Sequence, residues 1–279
     1  MLRSWRIVVS LAASSIACGR ATHGTAMPER PPPAVGNPLA DATLFVDPGS
    51  QAVQRASGPD AELVRKIAEQ PQADWIGDWT PDVTAAVRSR VQQAEQAGAL
   101  RVLVAYNLPF RDCGLYSAGG AAGAKAYRAW IDDFAAGLVG ATAVVILEPD
   151  ALGHLDQCLP PDAQQQRLEL LRYAVRVLRR NPGTYVYIDA GHALWMPVEI
   201  AAMRLRDAGI DDAHGFSLNV SNFVATDESV AYGKRIAAAL NGIGFVVDTG
   251  RNGQGAAGAE AWCNPPGRGL GVAPTTSTG

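Results

Sequence analysis

Val144-Val-Ile-Leu-Glu148-Pro-Asp150-Ala-Leu-Gly153 is the stretch from which the rest of the chain is read. Its four apolar residues, mostly β-branched, predict a strand buried on both faces, and Pro149 ends the hydrogen-bonding ladder. Two carboxylates, Glu148 and Asp150, stand at that end, and the stretch alone does not choose between them. Outward from it, apolar runs alternate with amphipathic segments. Strands are expected at 43–46, 73–79, 101–106, 143–147, 184–188, 215–220 and 244–247. Helices are expected at roughly 60–70, 81–97, 123–138, 162–180, 197–207 and 227–240, with Thr80 and Asp162 as N-caps. Such alternation implies a parallel sheet with right-handed crossovers.

Asp112, Asp150 and Asp189 stand 38 and 39 residues apart, each just past one of these strands, and Asp248 follows another. One strand–helix unit per interval puts them on a single face. A (β/α) barrel builds its active site that way, although an open doubly wound sheet also gathers ligands at its strand ends. The insertions at 108–123 and 153–161 then read as the walls of a groove. Six core strands follow the short 43–46 segment, fewer than an eight-stranded barrel needs.

A chain of 279 residues with 48% hydrophobic content can bury a large core. Its net charge of -3, spread without blocks, offers no footprint for nucleic acid or an anionic membrane, which favours a neutral or small-molecule partner. Arg3 and Arg6 precede an apolar run at 7–17 that is too short to span a bilayer, so residues 1–18 read as a secretory signal peptide. Ser15-Ile-Ala-Cys18 loosely resembles a lipoprotein cleavage site, which makes a lipid anchor at Cys18 the alternative to free secretion. Residues 19–38, with five prolines, read as a disordered linker, and 39–279 as the catalytic domain. A monomer is expected.

Several acids in one cleft favour general acid/base chemistry. His23, His154, His192 and His214 form no His-Glu-x-x-His motif, no Gly-x-Ser-x-Gly elbow occurs, and neither a cofactor nor a metal is expected. Hydrolysis by paired carboxylates remains. One acid must keep a proton for the leaving oxygen, so its neighbours must split the pKa values.

The chain resembles a known family at Val104-Ala-Tyr106-Asn-Leu-Pro109-Phe-Arg111-Asp112-Cys113-Gly114, with Ser117-Ala-Gly-Gly120 behind it. This looks like the first signature of glycoside hydrolase family 6, the inverting β-1,4-glucanases and cellobiohydrolases. Leu147-Glu148-Pro-Asp150-Ala-Leu-Gly is similar to the second. Tyr187-Ile-Asp189-Ala-Gly-His192-Ala-Leu-Trp195, Asn219-Val-Ser-Asn222, Asp248-Thr-Gly-Arg251-Asn252-Gly and Trp262-Cys263-Asn-Pro-Pro-Gly match in order. The resemblance implies a distorted (β/α) barrel of TIM type, with about seven strands in the family, acting on a β-1,4-glucan.

It further implies that Asp150 is the general acid and Asp112 the auxiliary carboxylate that helps hold its proton. Tyr106 is expected to press on the sugar at the cleavage point, Arg111 to tie down the acidic pair, and Glu148 to support by hydrogen bonding. Asp189, His192, Asn219 and Asn222 are expected on the substrate side, with Trp75, Trp195 and Trp262 as stacking platforms for pyranose rings. A Cys113–Cys158 disulfide is also implied. Trp130 reads as helix-face core, Trp79 as either core or subsite, and His154 and His214 have no assigned role. In the family the Trp262 block is followed by a further strand, bearing the candidate base and a cysteine partner for Cys263, and by a closing helix. The expectation is therefore of an incomplete barrel. A truncated glucanase is set against a catalytically inactive carbohydrate-binding remnant, and a barrel enzyme acting on phosphorylated metabolites is the weakest reading.

Overall fold

The fold is that of a computed structural model, which describes residues 37–258, 261 and 263–278. The segment read as a signal peptide, with Cys18, most of the segment read as a linker, and Trp262 lie outside the described residues. Asn37 and Pro38, read as linker, belong to the folded part: the Asn37 amide donates to the Thr276 carbonyl at 2.6 Å.

Six strands form one parallel sheet in chain order: β1 (Asp74–Ile76), β2 (Arg101–Ala105), β3 (Ala143–Leu147), β4 (Thr184–Asp189), β5 (Gly215–Leu218) and β6 (Gly244–Val247). β1 and β6 do not pair, so the sheet curls without closing. Between the strands run α3 (Val83–Gln96), α4 (Ala124–Gly137), α5 (Pro161–Leu178), α6 (Val198–Asp207) and α7 (Thr226–Ala239), preceded by α1 (Gln51–Arg55) and α2 (Ala61–Ala68).

Period-two alternation sorts each strand between two cores. Leu103, Val145, Leu147, Val186, Ile188 and Phe216 pack under the helices. Val104, Val144, Ile146 and Tyr187 face the other way, into a smaller cluster that takes in Leu39 and Tyr106, with Leu44 and Trp75 against it. All five residues of β3 are buried, which is why it reads as a continuous apolar run. At the N-terminal strand ends, buried Arg101 is paired with Asp74 and Asp47.

Several boundaries differ from the sequence reading. Residues 43–46 contribute a single parallel bridge, Leu44 to Leu100, because Leu44 is used to fill the inner core. β1 stops at Ile76, since Gly77 lets the Trp79 ring fold back to where a Cβ would lie 2.4 Å away. The cap of α3 is Asp82, whose carboxylate accepts from Ala85 N at 2.9 Å, not Thr80. α5 starts one residue earlier than expected, with Pro161 in its first turn and Asp162 inside it. α1, capped by Ser50, was not anticipated. Trp130 sits on the core face of α4, its ring 5.4 Å from that of Phe134, as read.

Candidate active site

The C-terminal ends of β2, β3 and β5 are followed by residues in left-handed backbone conformations: Phe110, Asp112 and Cys113, then Glu148 and Asp150, then Asn219 and Ser221. Non-glycine residues adopt positive φ at a cost that the surroundings must meet, and such residues concentrate at functional sites. The buried framework beneath them is visible atom by atom.

Glu148 is 1% exposed. Its carboxylate turns under the β2 loop and accepts from Asn107 N (3.0 and 2.9 Å) and Leu108 N (3.0 Å). Burial pushes it up to about 7 against the lowering effect of those donors. Asp189, also 1% exposed, accepts from Asp150 N and Gly191 N, each at 3.0 Å, and from Ser217 Oγ at 3.1 Å. Burial, then the nearby Asp150, raise it to about 8. Two buried arginines brace the same turn from the helices. Arg167 on α5 donates to the carbonyls of Ala151 (3.3 Å), Pro109 (3.4 Å) and Phe110 (3.0 Å). Arg204 on α6 donates to Leu152 O at 2.6 Å and pairs with Asp156 at 2.5 Å.

On this framework sits Asp150, whose carboxyl accepts no hydrogen bond from the described residues. Burial raises it to about 6; His154 opposes that shift and Asp112 adds to it. Asp112 accepts from Ser117 N at 2.6 Å and faces His154 Nε2 at 3.4 Å. The Cys113–Cys158 disulfide, with Cα atoms 5.7 Å apart, links the loop of Asp112 to that of Asp150. Tyr106 is 5% exposed, and burial together with Asp150 and Asp112 pushes its hydroxyl upward. Its ring meets Trp75 edge-on, with centroids 5.2 Å apart. Trp195 lies against Gly153, where a Cβ would be 2.6 Å from its ring, with His154 and His192 at 4.8 and 5.4 Å. Burial holds His192 down at about 4, so its imidazole is neutral, and its Nδ1 is buried without a partner. A cavity of about 180 Å³ beside Trp195 is lined by Gly153, Gln157, Met196 and Arg204.

Several of the expected site residues have their polar atoms engaged within the protein itself. Arg111 does not tie the acidic pair: its guanidinium is occupied by Asp78 (2.7 Å) and by the carbonyls of Tyr106, Ser117 and Ala118, so it anchors the 115–120 loop. Asp189, expected on the substrate side, has both oxygens engaged by buried donors. Asn219 is fully buried, its amide bonded to Val224 and to the Asp248 carbonyl. Asn222 is half-buried and accepts from Phe223 N. Asp248 likewise serves loop geometry, accepting from Ser221 N and Gly250 N. Trp79 is 53% exposed, with the Arg111 guanidinium 5.1 Å from its ring.

Sequence reasoning missed His154, Arg167, Arg204 and Asp78. Arg167 did leave a signal, standing on the apolar stripe of α5 with Leu170, Leu171, Ala174 and Leu178, where a charge needs buried partners.

A parallel barrel-like sheet with a protonatable carboxyl, a second carboxylate and flanking aromatic rings at its strand ends defines an acid/base hydrolase type of site. Residues 49–279 match the glycosyl hydrolases family 6, and the chain belongs to that family. It is 44% identical over 242 residues to Endoglucanase A of Cellulomonas fimi, covering 85% of this chain and 52% of that protein. It is 42% identical over 247 residues to Endoglucanase 1 of Streptomyces halstedii, covering 85% and 76%. It thus spans about half the length of the first relative and three quarters of the second. Among solved structures, the endoglucanase Cel6 from Mycobacterium tuberculosis, in complex with a methyl-cellobiosyl-4-deoxy-4-thio-β-D-cellobioside, superposes with a TM-score of 0.84 at 46% identity, covering 88% and 85% of the two chains.

Proposed function

We propose that this chain is a secreted glycoside hydrolase that cleaves β-1,4-glucosidic bonds of cellulose or a related β-glucan with inversion, Asp150 acting as the general acid. The observation that carries the reading is the contrast between neighbouring acids. Glu148 and Asp189 are sealed under the turn by hydrogen bonds, while Asp150 is left without a donor and with a raised pKa beside Asp112. An acid in that state holds a proton for a leaving glycosidic oxygen, and a second carboxylate nearby disfavours losing it. Asp112 also favours positive charge developing on the sugar ring. Trp75, Trp195 and Tyr106 offer flat apolar faces to pyranose C–H faces, with Trp262 as a further platform. Asp189 acts by positioning: through the Asp150 amide it sets the direction of the acid. Export follows from the N-terminal segment, with lipid attachment at Cys18 as the alternative. No helix among the described residues is long and apolar enough to cross a membrane. The enzyme acts as a monomer.

The test is Asp150→Asn on a soluble β-1,4-glucan. Turnover should fall about 10²–10⁴-fold, the range typical of general acid help. Activity of the unaltered chain should decline as pH rises through about 6, where Asp150 ionises. Near-normal cleavage by the variant removes Asp150 from the acid role. Glucan binding by the unaltered chain without turnover would instead make it a carbohydrate-binding protein.

A further inference from the structure

Among the described residues, His154 is an ionisable side chain that joins the acid pair from outside the expected set. It lies on the turn after Asp150, and its backbone N–H donates to the Asp150 carbonyl at 2.9 Å. Its ring is held at three points. Nδ1 faces Gln157 Oε1 at 2.8 Å, Nε2 faces Asp112 Oδ1 at 3.4 Å, and the edge rests on Trp195 with centroids 4.8 Å apart. Gln157 Oε1 is an acceptor for an N–H at Nδ1, which leaves Nε2 directed at Asp112. Among the described residues, Asp112, from the β2 loop, faces the imidazole, and Asp150, from its own turn, feels its charge. Gln157 and Trp195, from its own loop and the β4 loop, are uncharged. The Cys113–Cys158 bridge closes beside it, with Cys158 Sγ 3.8 Å from the His154 carbonyl, so the geometry is held by covalent connection as well as by contact.

We propose that His154 is a positioning residue of this site, one that ties Asp112 and Trp195 to the Asp150 turn and sets the electrostatic surroundings of the acid pair from outside it. The proposal rests on the reading of Asp150 as general acid. A protonated imidazole favours the Asp150 carboxylate and so works against Asp112, which favours the carboxylic acid. The two neighbours set the acid in opposite directions.

The experiment uses the full chain with 13C-labelled aspartate and follows the Asp150 carboxyl resonance, identified by its loss in Asp150→Asn. In His154→Gln, which keeps polar reach and removes the charge, the Asp150 midpoint should move up by about half a pH unit or more. The high-pH limb of kcat on a soluble glucan should move the same way. His154→Phe, which keeps the packing on Trp195, should give the same upward midpoint with a lower kcat, because Asp112 loses its anchor. A midpoint that stays or falls in the Gln variant overturns the proposal, as does a shift seen only in the Phe variant. If the unaltered chain cleaves no glucan, the functional reading fails, and the carboxyl titration still decides the role of His154.

Discussion

Replacing Arg167 with methionine should lower kcat on a soluble β-1,4-glucan by about 10- to 100-fold while leaving KM within about twofold. Arg167 is 4% exposed and reaches the site only through backbone carbonyls, so no sugar contact is lost directly. Its guanidinium is shared between Phe110 O at 3.0 Å, two residues before Asp112, and Ala151 O at 3.3 Å, next to Asp150, with Pro109 O at 3.4 Å. One side chain therefore sets the separation of the two carboxylates. Hydrogen bonds from a charged donor contribute about 1.5–3 kcal/mol each, and the two longer bonds belong at the lower end. Removing all three also relieves a desolvated cation, whose cost is several kcal/mol. That cost is visible in the lowered Arg167 pKa, of which burial is the main cause. The net loss of stability should thus be about 2–3 kcal/mol, small enough for a chain that still folds. The rate is more sensitive than the stability, because a displacement of about 1 Å in a catalytic group costs on the order of 10²-fold. Reducing-sugar release across a range of glucan concentrations gives kcat and KM, and a thermal melt by circular dichroism confirms folding. Arg167→Lys should recover part of the rate, since an ammonium reaches one carbonyl of the three. A folded Met variant with kcat within about twofold of the parent would refute the argument that Arg167 spaces the acids.

Stability should depend on pH through the same buried acids. Glu148 at about 7 and Asp189 at about 8 lie above their ordinary values, so the native state holds protons that the unfolded chain releases, and stability falls as pH rises through them. Below about pH 6.5 the neutral, buried His192 opposes this trend, since the unfolded chain binds its proton and the native state does not. The clean window is pH 6.5 to 8, where Tm should drop, and a flat or rising Tm there would count against the buried-acid framework. Gly153→Ala puts a Cβ 2.6 Å from Trp195 Cζ2, which forces the ring off its seat. KM should rise several-fold with the fold intact, and an unchanged KM would mean that Trp195 does not stack on the substrate. The Cys113–Cys158 bridge closes 45 residues, which corresponds to about 4 kcal/mol of loop entropy. The double Ser variant should lose most of that in urea unfolding, and a loss below about 1 kcal/mol would show that the hydrogen bonds around Asp112 and Asp150 already hold the loops.

The strand and helix order was legible because each element carries its own period. β3 is an unbroken apolar run since both its faces are covered, and the helices between strands keep their apolar stripes toward the sheet. Boundaries were less legible wherever a side chain had two uses. Leu44 reads as part of a strand, yet it is spent on the inner core, and Thr80 reads as a cap although Asp82 is the residue whose carboxylate meets a free amide. The disulfide, which the family resemblance implied, is present between Cys113 and Cys158, and Cys263 is exposed and free.

The acids that lie past each strand end, and the family to which their signatures belong, follow from local order along the chain. Which of these acids is tied up by backbone amides does not. Glu148 and Asp150 are two residues apart at the end of one strand. They differ because left-handed turns send one carboxylate beneath the Asn107 and Leu108 amides and leave the other without a donor among the described residues. The same holds for Asp189, Arg111 and His154. Their partners lie on other elements, at Asp150, Asp78 and Asp112, and a hydrogen bond or charge contact across such distances in sequence exists only once the sheet has brought the strand ends together. The parallel α/β frame and the inventory of acids and rings were legible along the chain, since both depend on short-range pattern. Which of those residues are buried with their hydrogen bonds satisfied, and which are not, emerged only with the tertiary structure, because burial and hydrogen-bond satisfaction are properties of the assembled fold.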